Sequence, residues 1–160
     1  MIQRIQSLYF LAIVLICVIL CNGSLINVSQ PGGPLNTDYV MNLMYFRKFQ
    51  NGVMVVNKIQ YLLLLLTALT VGWTLRVIFL FRDRLKQIKQ AKLTYLFLFL
   101  LFASAFSTAS LMIPGFSLGS LSTASVFGLG LMLFMFYLNF RAIMLIRRDE
   151  DLVKDADHIR

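Results

Sequence analysis

Four long apolar stretches, near Leu8 to Leu25, Ile59 to Phe81, Leu93 to Ile113 and Leu121 to Ile146, fill most of a chain of 160 residues. No soluble core of this size needs so many. A hydrocarbon slab about 30 Å thick takes roughly 20 residues of apolar helix to cross, and the second, third and fourth stretches reach that length. Charged residues make up 14% of the chain, against about 25% in a soluble domain. The expectation is an all-α membrane protein: one domain of four transmembrane helices over about 7–26, 59–81, 93–113 and 121–147, with an outer loop 27–58 and a tail 148–160.

Lys and Arg outnumber Asp and Glu by 15 to 7, but the excess lies at helix ends, where it anchors beside anionic headgroups. Membrane lipids are thus the expected partner, and nucleic acid is not. Short loops rich in Lys and Arg stay in the cytoplasm. Arg82, Arg84, Lys86, Lys89 and Lys92 crowd the second connection, the third (Pro114 to Ser120) carries no charge, and Arg147, Arg148, Lys154 and Arg160 follow the fourth stretch. Both termini are therefore predicted to be cytoplasmic. The first stretch has an unbroken apolar run of only fourteen residues, Leu8 to Cys21, behind Arg4, which is also how a signal peptide looks. Leu20 is too large for lipoprotein processing at Cys21, and the segment is expected to remain as an uncleaved helix continuing through Ser24 to Ile26.

In the outer loop, Pro31-Gly32-Gly33-Pro34 breaks the chain. Asn51-Gly52 then separates two runs rich in aromatic and β-branched residues, Tyr39 to Gln50 and Val53 to Val56. That pattern predicts a small β-hairpin, because both turn residues must take positive φ. It reads as a cap over the helix ends or a platform for a partner.

Small residues recur four apart in the last two stretches: Ala103 and Ser107, Ser104 and Thr108, Ala105 and Ala109, Ala124 and Gly128. Such pairs let helices approach closely in lipid. Gly128 is accordingly expected to face the third helix near Ser104 to Thr108. Cys17 and Cys21 share a helix face, but the sole histidine, His158, is in the tail, so they are read as packing residues rather than metal ligands.

Arg76 and Arg141 each precede a basic cluster by six residues, about 9 Å inside the boundary at 1.5 Å per residue. Both can snorkel. The alternative is that together they hold a lipid phosphate or anion. No Asp, Glu or His interrupts an apolar stretch, and no phosphate loop, nucleophile elbow or metal motif is present. Paired titratable groups for acid–base chemistry are missing. No enzyme activity, cofactor or metal is expected. In the tail, Leu152, Val153, Ala156 and Ile159 recur with helical period, so the fourth helix should run on. Its acids, among them Asp151 and Asp155, are expected to meet the basic connection around Arg84, Lys86 and Lys89 and the segment Met1 to Ser7, forming one surface for a partner.

The opening Met1-Ile2-Gln3-Arg4-Ile5-Gln6-Ser7-Leu8-Tyr9, the four-helix layout and the ending Asp151-Leu152-Val153-Lys154-Asp155-Ala156-Asp157-His158-Ile159-Arg160 resemble an uncharacterised family of small bacterial inner-membrane proteins classed only as a domain of unknown function. The resemblance implies a bacterial inner membrane and four helices, and it carries over no catalytic residue. Two functions remain as expectations: a noncatalytic accessory or structural subunit of a larger assembly of inner-membrane proteins, or a small oligomeric transporter or channel.

Overall fold

The computed structural model describes residues 3–30, 36–80, 83–116 and 121–158, with only the backbone described for 3–5 and 153–158. Its elements are α1 (Gln3–Asn22), β1 (Ile26–Gln30), β2 (Thr37–Met41), β3 (Tyr45–Gln50), β4 (Val53–Ile59), α2 (Tyr61–Phe79), α3 (Arg84–Met112) and α4 (Thr123–His158). The helices close into a ring in which α1 packs on α2 and α4, and α3 packs on the same two. Gln6 of α1 bonds Asp149 of α4, so the start of α1 and the later part of α4 share one end of the bundle, the termini end, and the strands stand at the other. Three helices, α2, α3 and α4, are long and apolar enough to cross a membrane; the apolar part of α1, Gln6–Asn22, is shorter.

The expected all-α fold with a small hairpin is incorrect. The four strands form one antiparallel meander, β1-β2-β3-β4, between α1 and α2. Its β3–β4 half is the anticipated hairpin: Asn51 (φ 49°) and Gly52 (φ 79°) turn the chain, and Gln50 pairs with Val53. What the pattern did not disclose is β1 paired with β2, from Ile26 opposite Met41 to Gln30 opposite Thr37. For the same reason α1 stops at Asn22 and does not run through Ile26. The Leu25 N–H donates to Met41 O at 2.8 Å, taking the chain into the sheet. Short apolar runs satisfy either period, and only the partner strand decides. The fourth helix does continue into the tail, as its period predicts.

The β2–β3 turn is driven into the mouth of the bundle. Asn42 shapes it: its Oδ1 accepts the N–H groups of Met44 (3.2 Å) and Tyr45 (2.5 Å). Leu43 at its apex is fully buried, and its N–H reaches Leu20 O near the end of α1 at 3.2 Å. Met44 O accepts the Gln60 N–H, just before α2, at 2.9 Å. The turn thus satisfies orphan groups at two helix termini while adding an apolar plug.

The free edge of β1 is covered by α4. Ser125, fully buried, accepts the Asn27 N–H at 2.6 Å and donates to Asn27 O at 2.8 Å. Val28 bridges to Leu121, and Gln30 Nε2 donates to Pro114 O. Helix and loop here do what another strand would otherwise do for an exposed edge.

Candidate functional site

The predicted termini-end cluster forms around one residue. Asp149, 7% exposed, accepts the Gln6 amide at 2.7 Å, while Arg84 Nη1 donates to the Asp149 backbone O at 3.0 Å. The N-terminal segment, the start of α3 and the start of the tail therefore meet, through one buried and one part-buried hydrogen bond rather than the exposed ion pairs expected. Lys86, Lys89, Asp151 and Leu152 lie exposed around the node. Lys86 pairs with Asp83 at 2.8 Å, and that carboxylate raises the ammonium's pKa. The side chain of Asp155 and the whole of Ile159 lie outside the described residues.

Above the node, the interior carries a column of amides and hydroxyls that the sequence reading missed. Thr67, Thr70 and Thr74 of α2 are buried, each donating to the carbonyl four residues earlier at 2.7 Å. Gln87 Nε2 reaches Val77 O (3.2 Å), Trp73 Nε1 reaches Gln90 O (3.1 Å), and Asn139 Nδ2 crosses from α4 to Ala91 O (3.1 Å). Asn139 is fully buried, yet its Oδ1 has no partner, nor has Gln90 Oε1. Thr67-Thr70-Thr74 at i, i+3, i+7 was the available signal, together with a lone amide in the fourth apolar stretch. Near the middle of the bundle, Cys17 lies 3.7 Å from the sulfur of Met135. Among the described residues no group of His, Cys, Asp or Glu could hold a metal.

The structure does not bring Arg76 and Arg141 together. They stand on α2 and α4, diagonal members of the ring, and Arg76 lies over the Trp73 ring at 5.2 Å, exposed. Trp73 is level with Gln90, and Asn139 with Ala91, so Arg76, Arg141, Lys89 and Lys92 occupy one layer of the bundle. Four cations in one layer form a belt around the bundle.

Nor do the expected packing residues meet as a set. On α3 it is Ala105 and Ala109 that are buried. Ser104 and Thr108 are half-exposed and bond their own helix, and Ser107 is exposed. On α4, Ala124 is exposed and lines, with Gly23, Ser24 and Phe127, a groove of about 230 Å³ between α1 and α4. Gly128 makes a close approach, but to the α1–β1 connection and not to α3. A Cβ there would lie 2.7 Å from Leu25 O and 3.0 Å from Ser24 O.

Residues 2–159 match the profile of DUF4293, a domain of unknown function, and the chain belongs to that family. No curated protein and no solved structure matches it.

Proposed function

We propose that the protein is a noncatalytic, multi-pass subunit of a larger assembly in the bacterial inner membrane, with both termini in the cytoplasm. The observation that carries this reading is the closed interior: Leu43 plugs one mouth, the Gln6–Asp149–Arg84 node occupies the other, and the hydroxyls and amide donors between them mostly bond backbone carbonyls. Such a body offers surfaces rather than a path. The orientation rests on the basic α2–α3 connection lying at the termini end. The contact surface is then the exposed rim of Lys86, Lys89, Asp151 and Leu152.

Because Asp149 is part of the fold, the discriminating truncation begins at Asp151. Purified from native membranes at endogenous level, the full chain should bring a partner with it, and a chain ending at Glu150 should insert but lose that partner. A full chain that purifies alone would refute the subunit reading. The unpartnered oxygens of Asn139 and Gln90 favour a second reading, a small oligomeric transporter or channel whose polar column carries a hydrogen-bond donor. Ion or solute flux in proteoliposomes, abolished by Asn139→Leu, would establish it instead.

A further inference from the structure

The cation belt provides a ruler. Leu25 touches Gly128 on α4, Asn27 is bonded to Ser125, and Val28 is bridged to Leu121. At 1.5 Å per residue, Gly128 stands about 20 Å from the level of Arg141, Ser125 about 24 Å and Thr123, where α4 begins just after Leu121, about 27 Å. The sheet's base therefore begins well short of the roughly 30 Å that a hydrocarbon core occupies. The helices feeding the sheet agree. From Arg76 to Tyr61, α2 rises only about 22 Å. On α1, Cys17 is level with Met135, and the helix ends five residues later at Asn22, about 16 Å from the belt. The α3 helix, from Lys89 to Met112, rises about 35 Å. On the α1–α2 side, something other than helix must complete the span.

We infer that the base of the sheet sits in the outer leaflet and that β4 takes phospholipid of the protein's own bilayer, with aliphatic side chains at the acyl boundary and the cations of the β3–β4 hairpin on headgroup phosphates. This rests on the membrane reading above. β4 is joined to the spanning helix α2 through Gln60 alone, and its side chains are exposed on both faces: Val53 67%, Met54 52%, Val55 55% and Ile59 47%. Exposed aliphatics on an edge strand are an aggregation hazard in water; against acyl chains they are in their own solvent. Arg47, Lys48 and Lys58 are the charges from Tyr45 to Ile59, with no acid among them, which suits phosphate and disfavours a second copy meeting the strand face to face. The unpaired backbone edge of β4 limits the depth. Free N–H and C=O groups cannot lie in mid-bilayer, so the strand belongs at the boundary, where water and headgroups reach them.

Spin labels at Ile59→Cys and Val55→Cys, in a Cys21→Ser background in phosphatidylcholine/phosphatidylglycerol nanodiscs, test this with Phe99→Cys on exposed α3 as the lipid reference and Gly52→Cys as the water reference. Ile59 should favour oxygen over a nickel chelate by several-fold, as Phe99 does, and Val55 should fall between the references. Ile59 as chelate-accessible as Gly52, with Phe99 in lipid, overturns the seating alone. Chelate access at Phe99 as well overturns the membrane reading beneath it. Dipolar coupling between Val55 labels on two copies also overturns it, by giving β4 a protein occupant.

Discussion

At the sheet end the helices are closed mainly by backbone, the Leu43 N–H on Leu20 O and Met44 O on the Gln60 N–H, with the Leu43 side chain filling the mouth and the Ser125 hydroxyl holding both Asn27 backbone groups. At the termini end closure runs through side chains, the Gln6 amide on the Asp149 carboxylate and the Arg84 guanidinium on the Asp149 carbonyl. A backbone seal is set by shape, so it is sensitive to volume. A side-chain seal is set by donors and acceptors, so it is sensitive to residue identity and leaves charged neighbours free for other contacts. The first suits a permanent plug; the second suits a surface that a partner engages.

Substitution should separate the two ends in thermal or denaturant unfolding of the detergent-solubilised protein. Leu43→Ala should have the largest effect, about 2–5 kcal/mol, because it removes a fully buried side chain and leaves a cavity. A cost below about 1 kcal/mol would mean that the turn does not plug the bundle. Gly128→Ala should follow at about 1–3 kcal/mol, since the new methyl meets the Leu25 and Ser24 carbonyls, which are backbone and cannot swing aside. Gly130→Ala, with open space at its Cβ, is the matched control and should be neutral or gain up to about 1 kcal/mol from helix propensity. Equal losses at both glycines would show that helix geometry, not the α1–β1 contact, is responsible.

At the other end, Gln6→Ala should lose about 1.5–3 kcal/mol, the range for a hydrogen bond to a charged group, and Gln6→Glu should do no better because it sets one carboxylate against another. If Gln6→Glu is tolerated, identity does not matter there and the contrast between the ends fails. Lys86→Ala should have the smallest effect, no change beyond the error of the unfolding measurement, as its pairing with Asp83 is exposed. A larger loss would move Lys86 from the rim into the fold.

Apolar run length placed the four helices along the chain, and the structure moves their ends. The expected second helix, 59–81, becomes Tyr61–Phe79, and the third begins earlier, at Arg84, because basic and amide residues continue the helix beyond the apolar segment. Asn51-Gly52 specified its turn because the demand for positive φ is local. Two of the three predicted surfaces at the termini end were traceable to charge, yet the residue that joins them, Asp149, was placed among exposed acids, since no local pattern marks an acid that a distant Gln6 will cover. The amide column escaped for a related reason: Thr67, Thr70, Thr74 and Asn139 stand singly within apolar runs, and only the neighbouring helices bury them.

By itself the sequence determined what short-range physics controls: where apolar helices run, where the β3–β4 turn forms, and that basic residues gather at helix ends. Tertiary structure alone decided which small residue faces which backbone, that Gly128 admits Leu25 and not α3, and that Ile26–Gln30 leaves the helix to become a strand edge covered by Ser125. Those outcomes depend on contacts roughly a hundred residues apart along the chain, between Asn27 and Ser125 or Leu25 and Gly128. Local propensity is nearly balanced at such positions, and the partner decides the conformation.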